Sequence, residues 1–447
     1  RAVSLPILAA AQRHAEHLAF DDGQQQIRYG DLESTIVGKL TAFSFPTGKH
    51  VAWCPGNDQT AFLAFWKILS EGGVACPISH RFPEAKRKAV VHSLDAIWLP
   101  ELELGSDREE FGADPKISLK VRDDAVEKPA TIILSSGSTG TPKAIVHSMA
   151  AHIANAQGSA ENMPLRPGDR WLWSLPLCHV SGLAILIRCA VASATVVGMR
   201  NGERITANLL KEKKVTHLSV VATQLQRLLK EKGFPSPSLK FVLLGGSSIT
   251  PDLVHEARER GVAVITSYGL TEMGSQVTAS TANGTPDRSG RVLPRRELKI
   301  DPSGEICVRG EPLCLGYFRE GLIHPVVDKN GWFPTGDLGS MDRSGELSVK
   351  GRLDNMFISG GENIHPENIE RVMVEVFGLS QVVIVPKPDE TFGARPVAFV
   401  DGDLPSDWGS MLKPLLSSYE IPIEVRPWPA EASLAIKPDR KLLASLA

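Results

Sequence analysis

The sequence predicts an α/β protein in two parts, a large N-terminal region over residues 1–353 and a small α+β domain over residues 354–447. Three observations predict it. Short apolar runs alternate with helix-like segments up to about residue 350, the pattern of layered α/β folds. From residue 289 to 351, short strands are separated by turn signals, which marks a small antiparallel, β-barrel-like part. Helical periodicity then returns over residues 367–377, followed by the apolar run QVVIV at 381–385. These open a compact unit of about 90 residues, an ordinary domain size.

In chain order, residues 4–18 read as a first helix. They could be mistaken for a signal peptide, but a single Arg precedes them, Pro6 interrupts the apolar run and the helical pattern continues past Gln12. Residues 215–221 (VTHLSVV) read as a strand and 224–230 as a helix. Residues 241–244 (FVLL) read as a strand ending in Gly245-Gly246, and 262–266 (VAVIT) as one ending near Tyr268-Gly269. In such sheets, ligands lie beyond the carboxyl ends of the strands, and the segments rich in Gly, Ser and Thr follow those ends. In the later β part the turn signals are Pro302-Ser303-Gly304, Asn330-Gly331 and Ser344-Gly345. There is no internal repeat, and no apolar run approaches the ~20 residues that span a bilayer.

Composition narrows the function. Lys plus Arg number 49 against 51 Asp plus Glu, so no global basic field draws in nucleic acid or an anionic membrane. Any anionic ligand must be held by local groups. The six cysteines form no C-x-x-C pair and no zinc spacing with His. Six thiols in a chain of this length point to a reducing, cytoplasmic setting.

The densest chemical signal is Ser135-Ser136-Gly137-Ser138-Thr139-Gly140-Thr141-Pro142-Lys143. Its glycines let backbone N–H groups approach phosphate oxygens. Its hydroxyls add donors, and Lys143 adds a positive charge. It is not a Walker A loop, because Pro142 precedes Lys143 and Ala144 follows it. Residues 131–134 and 145–146 both read as strands, so the loop joins two strands instead of opening a helix.

Several further motifs follow in order: Tyr29-Gly30-Asp31-Leu32, Pro176-Leu177-Cys178-His179, Tyr268-Gly269-Leu270-Thr271-Glu272, residues 331–337 (GWFPTGD), Gly351-Arg352-Leu353-Asp354 and a late Lys437. With the phosphate loop, this series resembles the adenylate-forming superfamily of acyl-CoA synthetases, adenylation domains and luciferases over nearly the whole chain. The late motif departs from the family's usual Lys-Thr-x-x-Gly-Lys, and only Lys437 of it matches.

The resemblance implies roles. Ser135 to Gly140, Lys143, Gly245, Gly246, Ser247, Tyr268, Gly269 and Thr271 would surround ATP or AMP. Glu272 would hold Mg²⁺, Asp337 would accept hydrogen bonds from the ribose hydroxyls, and Arg352 would donate to the ribose or phosphate. His179 would lie against the acyl group. Asp354 would be the hinge of a mobile C-terminal domain that delivers Lys437 for adenylate formation, then Gly360 and Gly361 for coenzyme A. On the residues alone, Glu272 equally caps a helix near Thr271, Asp337 a tight turn, Arg352 an exposed hairpin end and His179 a core site. Cys178 and His179 are not a nucleophile pair if they are neighbours on a strand, since they then face opposite ways.

The activity implied is an ATP-dependent acid–CoA ligase that works through an acyl-AMP. Residues 174–182, Arg188 and residues 222–229 look most like the o-succinylbenzoate–CoA ligases of menaquinone biosynthesis. Such an acid has two carboxylates, of which one is activated and the other needs a cation or strong donors. Arg188 is the candidate anchor, unless it is simply exposed on the helix after His179. Ser275, Gln276 and Thr278 are further donors. The implied ligands are ATP, Mg²⁺, a small carboxylic acid and coenzyme A as substrate, and the oligomeric state, a homo-oligomer included, stays open. Other readings are a different aryl- or acyl-CoA ligase, a stand-alone adenylation domain that loads a carrier protein, and an acyl-AMP-binding sensor without catalysis. Lys143, Glu272, Asp337 and Lys437 argue against the sensor.

Overall fold

The computed structural model describes residues 5–40, 44–99, 125–135, 142–200, 202–246, 249–430 and 439–447. Two large sheets form the N-terminal part. Among the described residues the first has nine strands, and its middle is parallel. Leu18–Asp21, Thr195–Val197, Arg170–Leu172, His217–Val220, Phe241–Leu244 and Val264–Leu270 lie side by side in that order. His217–Val220 is buried at every position, as expected of a strand covered on both faces. The second sheet places Ile97–Leu99, His50–Trp53, Val74–Pro77 and Pro129–Ser135 in parallel. It then adds Lys143–Ser148, Gly316–Arg319 and Leu322–His324 antiparallel.

Two of the helices between these strands, Gln59–Ser70 and Val180–Ala192, are apolar nearly all round and bury accordingly. Gln59–Ser70 starts where the Asp58 carboxylate accepts the Ala61 N–H at 2.9 Å, a standard N-cap. Met149–Asn162 is capped in the same way by Ser148. Val180–Ala192 carries one charge, Arg188, among buried Leu, Ile and Ala. Residues of these helices and of both sheets share one hydrophobic core.

Two expectations are corrected. Val264–Leu270 continues four residues past Thr266, because it folds back on Ser275–Ala279 through a turn at Thr271–Met273. Tyr268 and Gly269 therefore lie within a hairpin and not beyond a strand end. In the later β part, Arg296–Ile300, Glu305–Gly310, Phe333–Met341 and Leu347–Arg352 make an antiparallel sheet. Gly316–His324 does not stay with it. That hairpin crosses to the second sheet and pairs with Lys143–Ser148. The turn signals themselves hold. Asp301 Oδ1 accepts the Ser303 and Glu305 N–H groups, and Asp342 does the same for Ser344 and Glu346.

The smaller C-terminal domain has its own core, formed by Ile364, Ile369, Met373, Ile384, Ala398 and Leu412. The hairpin Phe357–Ser359/Glu362–Ile364 leads into helix Pro366–Phe377. Antiparallel strands Val382–Asp389 and Gly393–Val400 follow, with Glu424–Pro427 parallel to the second. All six cysteines are free thiols. No helix among the described residues is long and apolar enough to cross a membrane.

Candidate active site

The predicted phosphate loop connects two antiparallel strands, Pro129–Ser135 and Lys143–Ser148. Ser135 pairs with Lys143 at its mouth. Ser136, Gly137, Ser138, Thr139 and Gly140 fall outside the described residues, as do Ser247 and Lys437. Lys143 Nζ stands 5.1 Å from the centre of the Tyr317 ring, and Tyr317 Oη donates to Glu272 Oε1 at 2.8 Å. The crossing hairpin thus puts an ammonium group, a phenol and a carboxylate at one place.

The turn that carries Glu272 is held from both sides. The Glu272 carbonyl accepts the Cys314 N–H at 2.7 Å. The Thr271 carbonyl accepts a hydrogen bond from His147 Nε2 at 2.8 Å. That contact assigns the tautomer, since a carbonyl only accepts. His147 stacks on His152 with ring centres 4.8 Å apart, and His152 Nε2 lies 2.8 Å from the Thr131 hydroxyl. Burial pushes His147 down to about 4 and His152 well below the usual histidine range. Both rings are neutral at neutral pH, and His147 Nδ1 is buried without a partner. Gly269 is required here, because a Cβ would collide with the Ser275 carbonyl across the hairpin.

A second cluster lies at the Phe333–Met341 strand. Tyr268 Oη donates to Asp337 Oδ2 at 2.6 Å, and Arg352 Nη1 reaches Asp337 Oδ1 at 3.1 Å. Arg352 Nε also bonds Asp354 Oδ1 at 3.0 Å. Burial pushes the Asp337 carboxyl above its ordinary range, against the opposing pull of Tyr268 and Arg352. Burial acts most strongly on Asp354 too, but there the bond and charge of Arg352, its own backbone N–H and the charge of Lys143 together outweigh it and leave the carboxyl below its ordinary range. Arg352 is thus a bridge between two carboxylates and not a free hairpin end.

The third cluster surrounds Arg188, which is 4% exposed and so is not the surface arginine that its helix position also allowed. Its Nη2 donates to Gln276 Oε1 at 2.8 Å and lies 3.3–3.4 Å from Ser275 Oγ, Asn155 Oδ1 and Ser159 Oγ. Its Nε is buried without a partner. A small gap beside it is lined by His152, Asn155, Ala184 and Gly274. Of the three predicted donors, Ser275 and Gln276 reach Arg188. The Thr278 hydroxyl is instead bonded to the Ser289 carbonyl at 2.6 Å.

The remaining candidates are more scattered. Gly245 and Gly246 close the Phe241–Leu244 strand, and Gly246 has φ +79. Cys178 and His179 are not on a strand. They form a turn before helix Val180–Ala192, with the His179 N–H on the Pro176 carbonyl. The nucleophile pair is excluded on other grounds, since burial pushes the Cys178 thiol up to about 11 and only a thiolate attacks. His179 is exposed at the helix start. Gly360 and Gly361 make the turn of the 357–364 hairpin, and the Gly360 N–H donates to the Phe392 carbonyl at 2.9 Å.

Tyr317, His147, His152, Asn155 and Arg296 were not foreseen. Each meets its partners across long stretches of sequence, which leaves no local pattern to read.

A glycine-rich connection between two antiparallel strands with a lysine at its end, a carboxylate turn beside that lysine and a carboxylate–arginine pair nearby suit a nucleotide and its phosphates. The chain belongs to the AMP-binding enzyme family, whose description matches residues 75–318. Among its relatives is the 2-succinylbenzoate–CoA ligase of Escherichia coli (strain K12). It is 38% identical over 433 residues, spanning 94% of this chain and 93% of that protein. The Bacillus subtilis o-succinylbenzoate CoA synthetase (MenE) in complex with the acyl-adenylate intermediate OSB-AMP superposes with a TM-score of 0.85 at 27% identity, covering 99% of this chain and 98% of that one. The same B. subtilis enzyme in complex with ATP and magnesium ion gives a TM-score of 0.81 at 26% identity, with 95% of each chain covered.

Proposed function

We propose that this chain is an ATP-dependent acid–CoA ligase that converts o-succinylbenzoate to o-succinylbenzoyl-CoA through an acyl-AMP. The observation that carries the choice of acid is Arg188. It is a buried guanidinium that pairs with no carboxylate among the described residues. An unpaired buried charge is costly, and the second carboxylate of a dicarboxylic acid relieves that cost. The similarity to the E. coli 2-succinylbenzoate–CoA ligase supports the same acid.

In this reading one carboxylate of the acid attacks the α-phosphorus of ATP, an acyl–phosphate bond forms and pyrophosphate leaves. The thiol sulfur of coenzyme A then attacks the acyl carbon, and AMP leaves. The 135–143 loop and Lys143 cradle the phosphates, with Thr271 on the α-phosphate. Gly245, Gly246, Ser247, Tyr268 and Gly269 surround the adenosine. Asp337 accepts the ribose hydroxyls, and Arg352 fixes its orientation. Glu272 holds Mg²⁺; its carboxylate is the hard oxygen donor that this ion prefers, and the turn that carries it is fixed by His147 and Cys314. Held there, Mg²⁺ would supply positive charge against the phosphates. His179 borders the acyl site, while Arg188 and Ser275 hold the second carboxylate.

The small domain, from Asp354 onward, turns about that residue between the two half-reactions. One orientation brings Lys437 to the α-phosphate, where its charge stabilises the transition state. The other brings Gly360 and Gly361 to line the coenzyme A path. Lys437→Ala is therefore expected to slow adenylate formation by about 10²–10³ and to spare thioester formation from supplied acyl-AMP. Equal losses in both steps would refute the alternation.

Pyrophosphate release with ATP, Mg²⁺ and a panel of acids, with and without coenzyme A, tests the whole reading. Release and a thioester with o-succinylbenzoate are expected. Release with a different acid alone would discard the substrate, and transfer only to a carrier protein would discard the ligase.

A further inference from the structure

Arg188 is not the only buried guanidinium at the acid end. Arg296, from strand Arg296–Ile300, is 6% exposed and likewise has no carboxylate partner among the described residues. Two half-buried arginines elsewhere do have one: Arg170 pairs with Asp21 and Arg440 with Glu370. Arg296 bonds only carbonyls, those of Pro294, Gln276 and Asn155. Two of these three residues also hold Arg188, through Gln276 Oε1 and Asn155 Oδ1. Room for the second guanidinium comes from Gly158, where a Cβ would collide with Arg296 Nη2. Burial first, and Arg296 second, pull Arg188 down to about 9. Two like charges thus share one polar wall, and no carboxylate among the described residues pairs with either.

We infer that Arg296 is a specificity-determining residue of the acid pocket. It holds Asn155 and Gln276 in register around Arg188 and adds a second positive charge. The pocket therefore favours an acid whose second carboxylate reaches Arg188 and disfavours the uncharged analogue. This rests on the proposed ligase reading and extends it, because Arg296 acts without touching the acid. Its field and its grip on two shared residues set how strongly the pocket demands a dianion.

The test compares kcat/KM for o-succinylbenzoate with that for whichever of its two primary mono-amides is turned over. In the wild-type chain the dicarboxylate is preferred. Arg296→Gln keeps amide donors for the carbonyls but removes the charge, and is expected to lower this preference about tenfold, a usual coupling within one polar network, with the KM for ATP unchanged. Arg296→Lys keeps the charge and is expected to retain most of the preference. An unchanged preference in Arg296→Gln would overturn the inference. So would equal losses for both acids and ATP in the two variants, or failure of both to fold, since these mark a scaffold residue. Arg188→Gln separates the two ideas. If it abolishes the preference while Arg296→Gln does not, the anchor stands and this inference fails. If Arg188→Gln leaves the preference intact, the anchor itself is wrong.

Discussion

Acid should weaken this fold through the stacked pair His147 and His152. In the folded chain burial holds His147 at about 4, against an ordinary value of 6.5. The unfolded chain therefore binds a proton that the folded chain refuses. Stability from this group is fully present above the unfolded value and is lost as pH falls through the window from 6.5 to about 4. At about 1.4 kcal/mol per pKa unit, the whole shift is worth about 3 kcal/mol, and about 2 kcal/mol of it is gone by pH 5. His152, displaced in the same direction, adds to the loss. The perturbation is His147→Gln, which keeps an amide donor for the Thr271 carbonyl but does not titrate. Urea unfolding followed by tryptophan fluorescence at pH 7 and pH 5 gives the loss for each chain. The variant should lose about 2 kcal/mol less than wild type between the two conditions. A loss equal to that of wild type, within about 0.5 kcal/mol, would show that His147 is not held neutral by burial.

Asp337→Asn removes an anionic acceptor from Tyr268 and Arg352 and is expected to raise the KM for ATP on the order of tenfold or more. Pyrophosphate release against ATP concentration reads it, and a change under about twofold would contradict the ribose role. Arg440→Met leaves Glu370, which is 8% exposed, without its ion partner. The C-terminal domain should lose about 3–5 kcal/mol. The loss should show as faster amide exchange in helix Pro366–Phe377, with the N-terminal sheets unaffected.

The fold was legible where local pattern decides it. Continuous apolar runs marked the parallel strands, and Asp-containing turns marked the later hairpins. It was illegible where strand partnership is non-local. Nothing in residues 316–324 says that they leave the neighbouring β sheet for Lys143–Ser148, because pairing is chosen by the edge available and not by the strand's own composition. The strand expected at Cys178–His179 failed because Pro176 starts a turn there, which the apolar flanks concealed, although the rejection of a nucleophile pair stands. At the candidate site, the motifs singled out Lys143, Glu272 and Asp337, and the fold brought Tyr317 to two of them. The burial of Arg188 was legible after all. A lone arginine within VSGLAILIRCAVA sits in a segment apolar on every face, and such a segment has no exposed side to offer it.

That helix has an evolutionary consequence. From Gly182 to Ala190 every residue is buried, so the residue we propose as the acid's anchor is embedded in the same element that fills the core. A neighbour changed to reshape the pocket leaves a void or a clash, at about 2–5 kcal/mol for a large aliphatic cut to alanine. Drift toward new acids through this helix is therefore slow. Variation in acid preference among descendants of this chain should collect at His179, which is exposed where the helix starts and can change without disturbing the packing.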